Sequence, residues 1–184
     1  NGGAQAAHRV VLPDGREHVF SQFGSGTFVP GVKTHLSRYM IVEPLGMMNE
    51  YEDLKKLGFE DAFSRLTVHG SAPVVTLYHV AVNRLLELSR GENRHGSCGL
   101  GIGEVAEDLK ESEDCLFVRD LKSDSILRRK LFIIRDRKLA KIKDVISRIP
   151  KSDEAKRSID ILEGKNVEWW MDRVAPLRAL LKIV

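Results

Sequence analysis

The chain has 184 residues, of which 42% are hydrophobic and 30% are charged, a composition that fits one domain with a packed core and excludes a disordered chain. No apolar run approaches the roughly 18 residues that cross a membrane, and two cysteines cannot make a disulfide framework, so we expect neither membrane contact nor an oxidising compartment. The formal net charge is +3, which by itself implies no particular partner.

The first third of the chain predicts strands and turns. Residues 9–12 and 17–20 flank Pro13-Asp14-Gly15, and an Asp-Gly pair between apolar runs is a strong signal for a β-hairpin. A helix is predicted to begin at Pro44 and to end before Gly58, since proline is typical of the first turn and glycine of the position after the last. Two further strands are predicted around residues 39–42 and at residues 66–68.

The middle and the end of the chain predict helices. Apolar residues recur at helical spacing over residues 74–89, and Gly91 ends that helix. A glycine-rich loop extends to Gly103, and a helix resumes over residues 104–110. Later helical patterns cover residues 127–149, residues 153–162 and a stretch from residue 167 that is interrupted or kinked at Pro176. These elements describe an α/β region followed by a helical layer.

The glycine-rich loop is a candidate phosphate site. Between Gly96 and Gly103 it contains four glycines together with Ser97 and Cys98. Glycine allows backbone N–H groups to approach an anion, and the N-terminus of the following helix attracts phosphate. The alternative is a tight strand-to-helix turn without a ligand. The loop does not match the G-x-x-x-x-G-K-[ST] nucleotide loop or the dinucleotide fingerprint.

A second stretch of small residues, from Gly2 to Ala7, ends at His8. Histidine is a natural proton donor near neutral pH, so His8 is a candidate general acid, with a structural hydrogen-bonding role as the alternative. The six histidines and two cysteines lack the spacing of zinc ligands. A reactive thiol at Cys98 is a further alternative, because a helix N-terminus lowers the pKa of a thiol.

Positive charge is concentrated in residues 128–148, where nine Lys or Arg stand against two Asp. That segment carries +7, and a total of +3 leaves −4 for the rest of the chain. Such a segment could bind nucleic-acid phosphates, but an apolar stripe runs through it and few aromatic residues accompany it. We therefore favour a solvated helix face over nucleic-acid binding.

Four segments, taken in order, resemble the adenylosuccinate synthetase family. The first, residues 2–8, is similar to that family's Gly-Gly-x-Asn-Ala-Gly-His, and the last, residues 96–103, to its Gly-Thr-Thr-Gly-Arg-Gly-Ile-Gly. Between them lie the hairpin with residues 24–28 and the segment of residues 71–79. The resemblance covers roughly residues 1 to 121, and the rest of the chain is similar to the family only in being helical.

The resemblance implies a ligase of purine biosynthesis, in which GTP phosphorylates the 6-oxygen of IMP and L-aspartate then displaces that phosphate. His8 would be the catalytic general acid at the 6-oxygen, and the Ala7 carbonyl would help to hold Mg²⁺. The glycine-rich loop would bind the 5′-phosphate of the purine nucleoside monophosphate. The residues that the resemblance implies for substrate binding are Gln5, Ala6, Ala7, His8, Ser97 and Cys98.

The same resemblance implies the fold and the partners. We expect an α/β fold whose central, mostly parallel sheet is flanked by helices, with a helical subdomain in the C-terminal third. Residues 1–122 would form the α/β part of the nucleotide-binding ligase core and residues 123–184 its helical subdomain. Mg²⁺ and GTP, or ATP, would be the cofactors, and the protein would be a cytoplasmic homodimer.

Several residues depart from the family pattern. Gln5 stands where the family has Asn, Cys98 where it has Thr, and Leu100 where it has Arg. One alternative is the 2-aminoadenylosuccinate synthetase branch, which takes dGMP; its 2-amino group would need another acceptor, which Gln5 or Glu104 could supply. The other is a non-catalytic homologue that only binds nucleotide or a partner. The chain covers less than half of such an enzyme, so we expect this polypeptide alone to be inactive.

Overall fold

The computed structural model describes residues 2–93, 96–164 and 166–184. Two compact units make up the fold, and both are discontinuous in sequence. The first consists of Asn1–Val74, Phe117–Lys122 and Arg173–Val184, and the second of Val75–Leu116 and Ser123–Asp172. The division of a ligase core into residues 1–122 and 123–184 stays a prediction.

The first unit begins with a β-hairpin of β1 (His8–Val11) and β2 (Glu17–Phe20). The strands pair antiparallel, in a register that places His8 opposite Phe20. Gly15 in the connecting turn has a φ of 87°, a left-handed conformation that glycine adopts without a steric penalty. The hairpin predicted from the Asp-Gly pair is therefore confirmed.

Helix α1 (Pro44–Lys56) has nearly the bounds that the sequence predicts. The Glu43 carboxylate caps its N-terminus by accepting hydrogen bonds from the N–H groups of Leu45 and Gly46. Gly58 follows the helix, and its N–H donates to a carbonyl of the last turn. Both ends are thus satisfied by residues adjacent in sequence, which is why local patterns suffice to predict them.

A buried carboxylate on α1 fixes the loop that follows β2. Glu50 is 7% exposed, and its oxygens accept the N–H groups of Ser21 at 3.0 Å, Gln22 at 2.7 Å and Phe23 at 3.2 Å. Hydrogen bonds to an ionised acceptor are stronger than those between neutral groups. The loop is therefore held rigidly against α1.

Strand pairing beyond the hairpin is sparse in the part of the chain that the structure describes. Strand β3 (Thr34–Leu36) runs parallel to the buried β4 (Leu66–Val68), which confirms the latter prediction. The strand expected around residues 39–42 is reduced to single bridges, and a central, mostly parallel sheet is not confirmed. Isolated parallel bridges join Gly3 with Ile41, Val42 with Val74, and Val68 with Ile183.

The second unit is helical. It contains α2 (Leu77–Ser89), α3 (Ile102–Glu111), α4 (Asp124–Ile142) and α5 (Asp153–Glu163), and α2 packs against the other three. Helix α2 begins three residues later than predicted, because Thr76 caps it.

The apolar face of α4 is confirmed for Leu127, Leu131, Ile134 and Ile142, all of which are buried. The predicted continuation to residue 149 is wrong, since the helix ends at Ile142. Helix α6 (Val167–Leu180) continues through Pro176, so the first of the two predicted alternatives, an interruption, does not occur, and a kink stays a prediction. None of the helices in the described ranges is long and apolar enough to cross a membrane.

Candidate functional site

The predicted substrate segment, residues 5–8, lies at the start of the first unit. Gln5, Ala7 and His8 are exposed, and Ala6 is half-buried. A turn in which the Ala6 N–H donates to the Gly3 carbonyl at 3.3 Å leads into β1. The segment is therefore accessible to a ligand.

His8 lines a cavity of about 260 Å³ within the first unit. Its imidazole stacks on Phe20, with the ring centroids 5.7 Å apart. Gln22, Thr34 and His35 add an amide, a hydroxyl and a second imidazole to the lining. Since the buried Glu50 carboxylate holds the neighbouring loop, this polar cavity is preformed.

The predicted phosphate loop lies in the second unit, between α2 and α3. Ser97 and Cys98 are exposed, and the Ser97 hydroxyl donates to the side-chain oxygen of Asn83 at 3.2 Å. The N–H groups at the start of the loop are directed at a carboxylate of the chain itself. Gly96 N–H donates to Glu87 Oε2 at 3.2 Å, and Ser97 N–H also bonds this carboxylate.

These contacts influence the ionisation of Glu87. Desolvation acts to raise its pKa, but the hydrogen bond from Ser97 N–H and the charge of Arg90, with which it forms an ion pair, outweigh that effect. The pKa of Glu87 therefore lies below its usual value. The loop binds an anion through its backbone, and that anion is supplied by α2.

Gly101, just before α3, is required by close packing. It has a φ of 71°, and a Cβ there would lie 2.7 Å from the carbonyl carbon of His79 and 2.8 Å from the nitrogen of Val80. Because these are backbone atoms of α2, we expect Gly101→Ala to lower the free energy of unfolding by about 3 kcal/mol in denaturant titrations. Gly103→Ala is the matched control.

Gly103 lies within α3, and a Cβ there meets no atom within 4 Å. Its replacement by alanine is expected to raise the free energy of unfolding by up to about 1 kcal/mol, because alanine favours a helix over glycine. Equal losses in the two variants would show that the close approach at Gly101 is not the cause.

The second unit contains a buried ionic cluster that no sequence pattern discussed above predicts. Lys138 is 1% exposed, and its Nζ lies 2.7 Å from Asp108 Oδ1 and 3.0 Å from Glu104 Oε2. Arg137 donates to Asp108 Oδ2 at 2.7 Å, and Lys141 donates to Glu104 Oε2 at 2.9 Å. The sequence does contain a signal for this cluster. Glu104 and Asp108 are four residues apart and so lie on one face of α3, and Lys138 and Lys141 are three residues apart and so lie on one face of α4.

This cluster corrects the interpretation of residues 128–148 as a solvated helix face. Lys138 is enclosed with the acids of α3, and Lys130 is 8% exposed with its Nζ donating to the Cys115 carbonyl at 2.7 Å. A buried ammonium needs such partners because its desolvation is costly. Part of the local basicity therefore neutralises acids inside the fold.

His79 joins the cluster as a neutral imidazole. Thr76 N–H donates to its Nδ1 at 3.0 Å, so Nδ1 is the acceptor, and Nε2 donates to Asp108 Oδ2 at 3.0 Å. Complete burial lowers the pKa of His79 and outweighs the opposing effect of Asp108. Burial also acts to raise the pKa of Asp108, but hydrogen bonds from His79 and Lys138 hold it well below its usual range.

The lowered pKa of His79 predicts a pH-dependent stability. As pH falls below the unfolded value of 6.5, the unfolded chain gains a proton that the folded chain resists. The free energy of unfolding is therefore expected to fall below pH 6.5 by up to about 1.4 kcal/mol per pH unit, until the folded pKa is reached. Asp108 adds nothing in this window, because its contribution is lost only below its unfolded pKa of 3.8.

Denaturant titrations between pH 7.5 and pH 5 measure this slope. His79→Gln retains an acceptor for Thr76 and a donor for Asp108 but cannot titrate, so it should flatten the profile. His35→Gln replaces an exposed histidine and is expected to retain the slope. A wild-type slope in His79→Gln would assign the titration to another group.

The resemblance assigns one group of this chain, the Ala7 carbonyl, to Mg²⁺. Among the residues that the structure describes, no group of three or more His, Cys, Asp or Glu side chains is placed to hold a metal ion. Mg²⁺ is bound mostly through carboxylates, water and substrate phosphates. The single Ala7 carbonyl that the resemblance assigns to Mg²⁺ does not make a metal site by itself.

The predicted substrate residues are divided between the two compact units. Gln5, Ala6, Ala7 and His8 lie in the first, and Ser97 and Cys98 lie in the second. Each group is brought together within its own turn or loop. That both groups face one nucleotide stays a prediction.

Comparison with known proteins decides the family. A family model described as adenylosuccinate synthetase matches residues 1–178. The chain belongs to the adenylosuccinate synthetase family. Adenylosuccinate synthetases of Bordetella avium and Saccharopolyspora erythraea are 33% identical over 135 residues and 32% identical over 130 residues. These alignments cover 73% and 71% of this chain and 31% and 30% of the relatives.

The likeness extends to the rest of the chain and to the fold. The adenylosuccinate synthetase of Mycolicibacterium smegmatis is 28% identical over 182 residues, which cover 98% of this chain and 40% of the relative. A structure of fully ligated adenylosuccinate synthetase from Plasmodium falciparum matches 100% of this chain and 42% of its own, with a TM-score of 0.66 and 16% identity. The chain thus has an α/β fold similar to adenylosuccinate synthetase, and it spans about 30 to 40% of the curated relatives' length.

Proposed function

We propose that the protein containing this chain is a purine-nucleotide ligase that joins L-aspartate to a 6-oxopurine nucleoside monophosphate such as IMP. The observation that carries this proposal is the match of the adenylosuccinate synthetase family model to residues 1–178. Hydrolysis of GTP, or ATP, would drive the reaction. A homodimer in the cytoplasm and a role in purine biosynthesis belong to the same proposal.

His8 is proposed as the general acid. Transfer of a phosphoryl group to the 6-oxygen is favoured when a donor stabilises the negative charge that develops on that oxygen. The exposed imidazole of His8, stacked on Phe20 at the edge of a polar cavity, is able to donate such a hydrogen bond. Gln5, Ala6 and Ala7 would lie against the purine.

The loop between α2 and α3 is proposed to hold the 5′-phosphate. The exposed Ser97 hydroxyl and the backbone N–H of Cys98 would contact phosphate oxygens. The orientation of the Gly96 and Ser97 N–H groups towards the Glu87 carboxylate supports this role, because it shows the loop backbone binding an anion. The proposed use of Mg²⁺ and of a nucleoside triphosphate rests on membership of the family alone.

A second candidate substrate is dGMP, as in 2-aminoadenylosuccinate synthetase. The exposed Gln5 favours it, since its amide oxygen can accept a hydrogen bond from a 2-amino group. Glu104, the other acceptor considered for that group, is 6% exposed and engaged by Lys138 and Lys141. Its carboxylate is therefore unavailable to a ligand.

A ligation assay on the full-length protein tests the proposal. L-aspartate and Mg²⁺ are supplied with IMP or dGMP, each with GTP or ATP, and the succinylated nucleotide and the diphosphate are measured. Product from IMP supports the main proposal, and product from dGMP alone supports the second candidate. Nucleotide binding without product from any pair would support a non-catalytic homologue. The isolated 184-residue polypeptide is expected to form no succinylated nucleotide in this assay.

A further inference from the structure

A cavity of about 370 Å³ lies between α2 and the glycine-rich loop, entirely within the second compact unit. Among its described lining residues, Arg84 supplies the one positive charge, while Glu87 and Glu154 are acidic. A phosphate that enters this cavity has two negative charges to neutralise, so its binding there depends on that guanidinium.

Arg84 is free to take this role. It is exposed on α2, and within the described ranges of the chain its guanidinium forms no ion pair or hydrogen bond. Its Nε lies 3.7 Å from the position that a Cβ on Gly99 would occupy, so the side chain runs along the loop backbone. The guanidinium fork matches the geometry of phosphate oxygens.

Glu87 is positioned to compete with phosphate. Its carboxylate occupies the N–H groups of Gly96 and Ser97, while Glu154 lines the same cavity. A phosphate reaches those donors only when the Glu87 carboxylate leaves them.

We propose that Arg84 is the phosphate-binding cation of this cavity and that Glu87 is an internal anion that the phosphate of a nucleotide displaces from Gly96 and Ser97. The proposal rests on the proposed function, which places the 5′-phosphate at this loop. It adds the residue that supplies the charge and the residue that limits the affinity.

Equilibrium binding to the full-length protein, measured by calorimetry, tests the proposal with IMP, dGMP and inorganic phosphate as ligands. Arg84→Gln is expected to raise the Kd of the bound nucleotide about 10-fold, because it removes a charge-assisted pair of hydrogen bonds. Arg128→Gln, which removes an exposed arginine of α4 paired with Glu168, is the control that should leave the Kd unchanged.

Glu87→Gln is expected to lower the Kd about 5-fold, since the competing charge is removed and the loop amides are released more easily. Glu154→Gln is its matched control, because it removes the same charge from the same cavity without releasing a loop N–H. If Glu154→Gln lowers the Kd less than Glu87→Gln does, the effect at Glu87 comes from release of the loop N–H groups and not from removal of a negative charge alone. Unfolding midpoints confirm that each variant is folded.

The outcomes separate this inference from the proposed function. If wild-type protein binds IMP or dGMP and Arg84→Gln binds it equally well, the inference is overturned and the ligase proposal stands. If no nucleotide binds but inorganic phosphate binds in an Arg84-dependent manner, Arg84 is the phosphate-binding cation of the cavity, while displacement of Glu87 by a nucleotide and the proposed function both fail. Absence of binding by all three ligands overturns both.

Discussion

Replacement of His8 by alanine is expected to lower the kcat of the full-length protein by roughly 10²- to 10⁴-fold, the usual contribution of a positioned general acid. The structure supports this expectation by leaving the imidazole exposed at a polar cavity. Because the side chain contributes little to the core, the variant should unfold at nearly the wild-type denaturant concentration. Steady-state kinetics with the nucleotide identified by the ligation assay measure the effect.

His8→Phe is the matched variant for this test. It keeps an aromatic ring that can stack on Phe20, as the imidazole does at 5.7 Å, but it has no proton to donate. A loss of kcat in both variants, with similar KM values, assigns the effect to the proton donor. Wild-type kcat in His8→Phe would contradict the role, and a loss in His8→Ala alone would assign it to stacking.

Replacement of Lys138 by methionine is expected to lower the free energy of unfolding by about 3 to 5 kcal/mol, the usual cost of breaking a buried ion pair on one side. Methionine fills much of the same volume but leaves the carboxylates of Asp108 and Glu104 without their enclosed cation. Asp108 is 3% exposed and Glu104 is 6% exposed, so water cannot take the place of the lost ammonium. Urea titration at pH 7 measures the change.

Lys143→Met is the control for this loss. Lys143 follows the same helix at its C-terminal end and is exposed, so its replacement should change the free energy of unfolding by no more than about 0.5 kcal/mol. Equal effects of the two replacements would contradict the proposed importance of the buried cluster. A Lys138→Met, Asp108→Asn double variant should lose less than the sum of the single losses, because both changes act on one interaction.

Several elements could be predicted from the sequence because their determinants are adjacent along the chain. The Asp-Gly pair that makes the β1–β2 turn is contiguous, and Pro44 and Gly58 mark the ends of α1. The family could be recognised for a similar reason, since each of its motifs is a short run of residues. Neither conclusion required knowledge of which segments pack together.

The sheet and the end of α4 were harder to predict. Pairing of β3 with β4 joins residues about thirty positions apart, and local β propensity does not show which strands will meet. The apolar pattern of α4 continues past Ile142, yet the helix stops there. Periodicity alone therefore overstated the length of the helix, while the central sheet that the resemblance implies is not confirmed.

Local turns, most helix positions and the family could be predicted from residues that lie close together along the chain. The burial of Lys138 against the acids of α3 and the contact of the Glu87 carboxylate with the loop amides became visible in the folded chain alone. The physical reason is that the residue type of a lysine or a glutamate does not show whether its side chain will be exposed to water or buried in the core. Its charge state, partners and role depend on segments that folding alone brings to it.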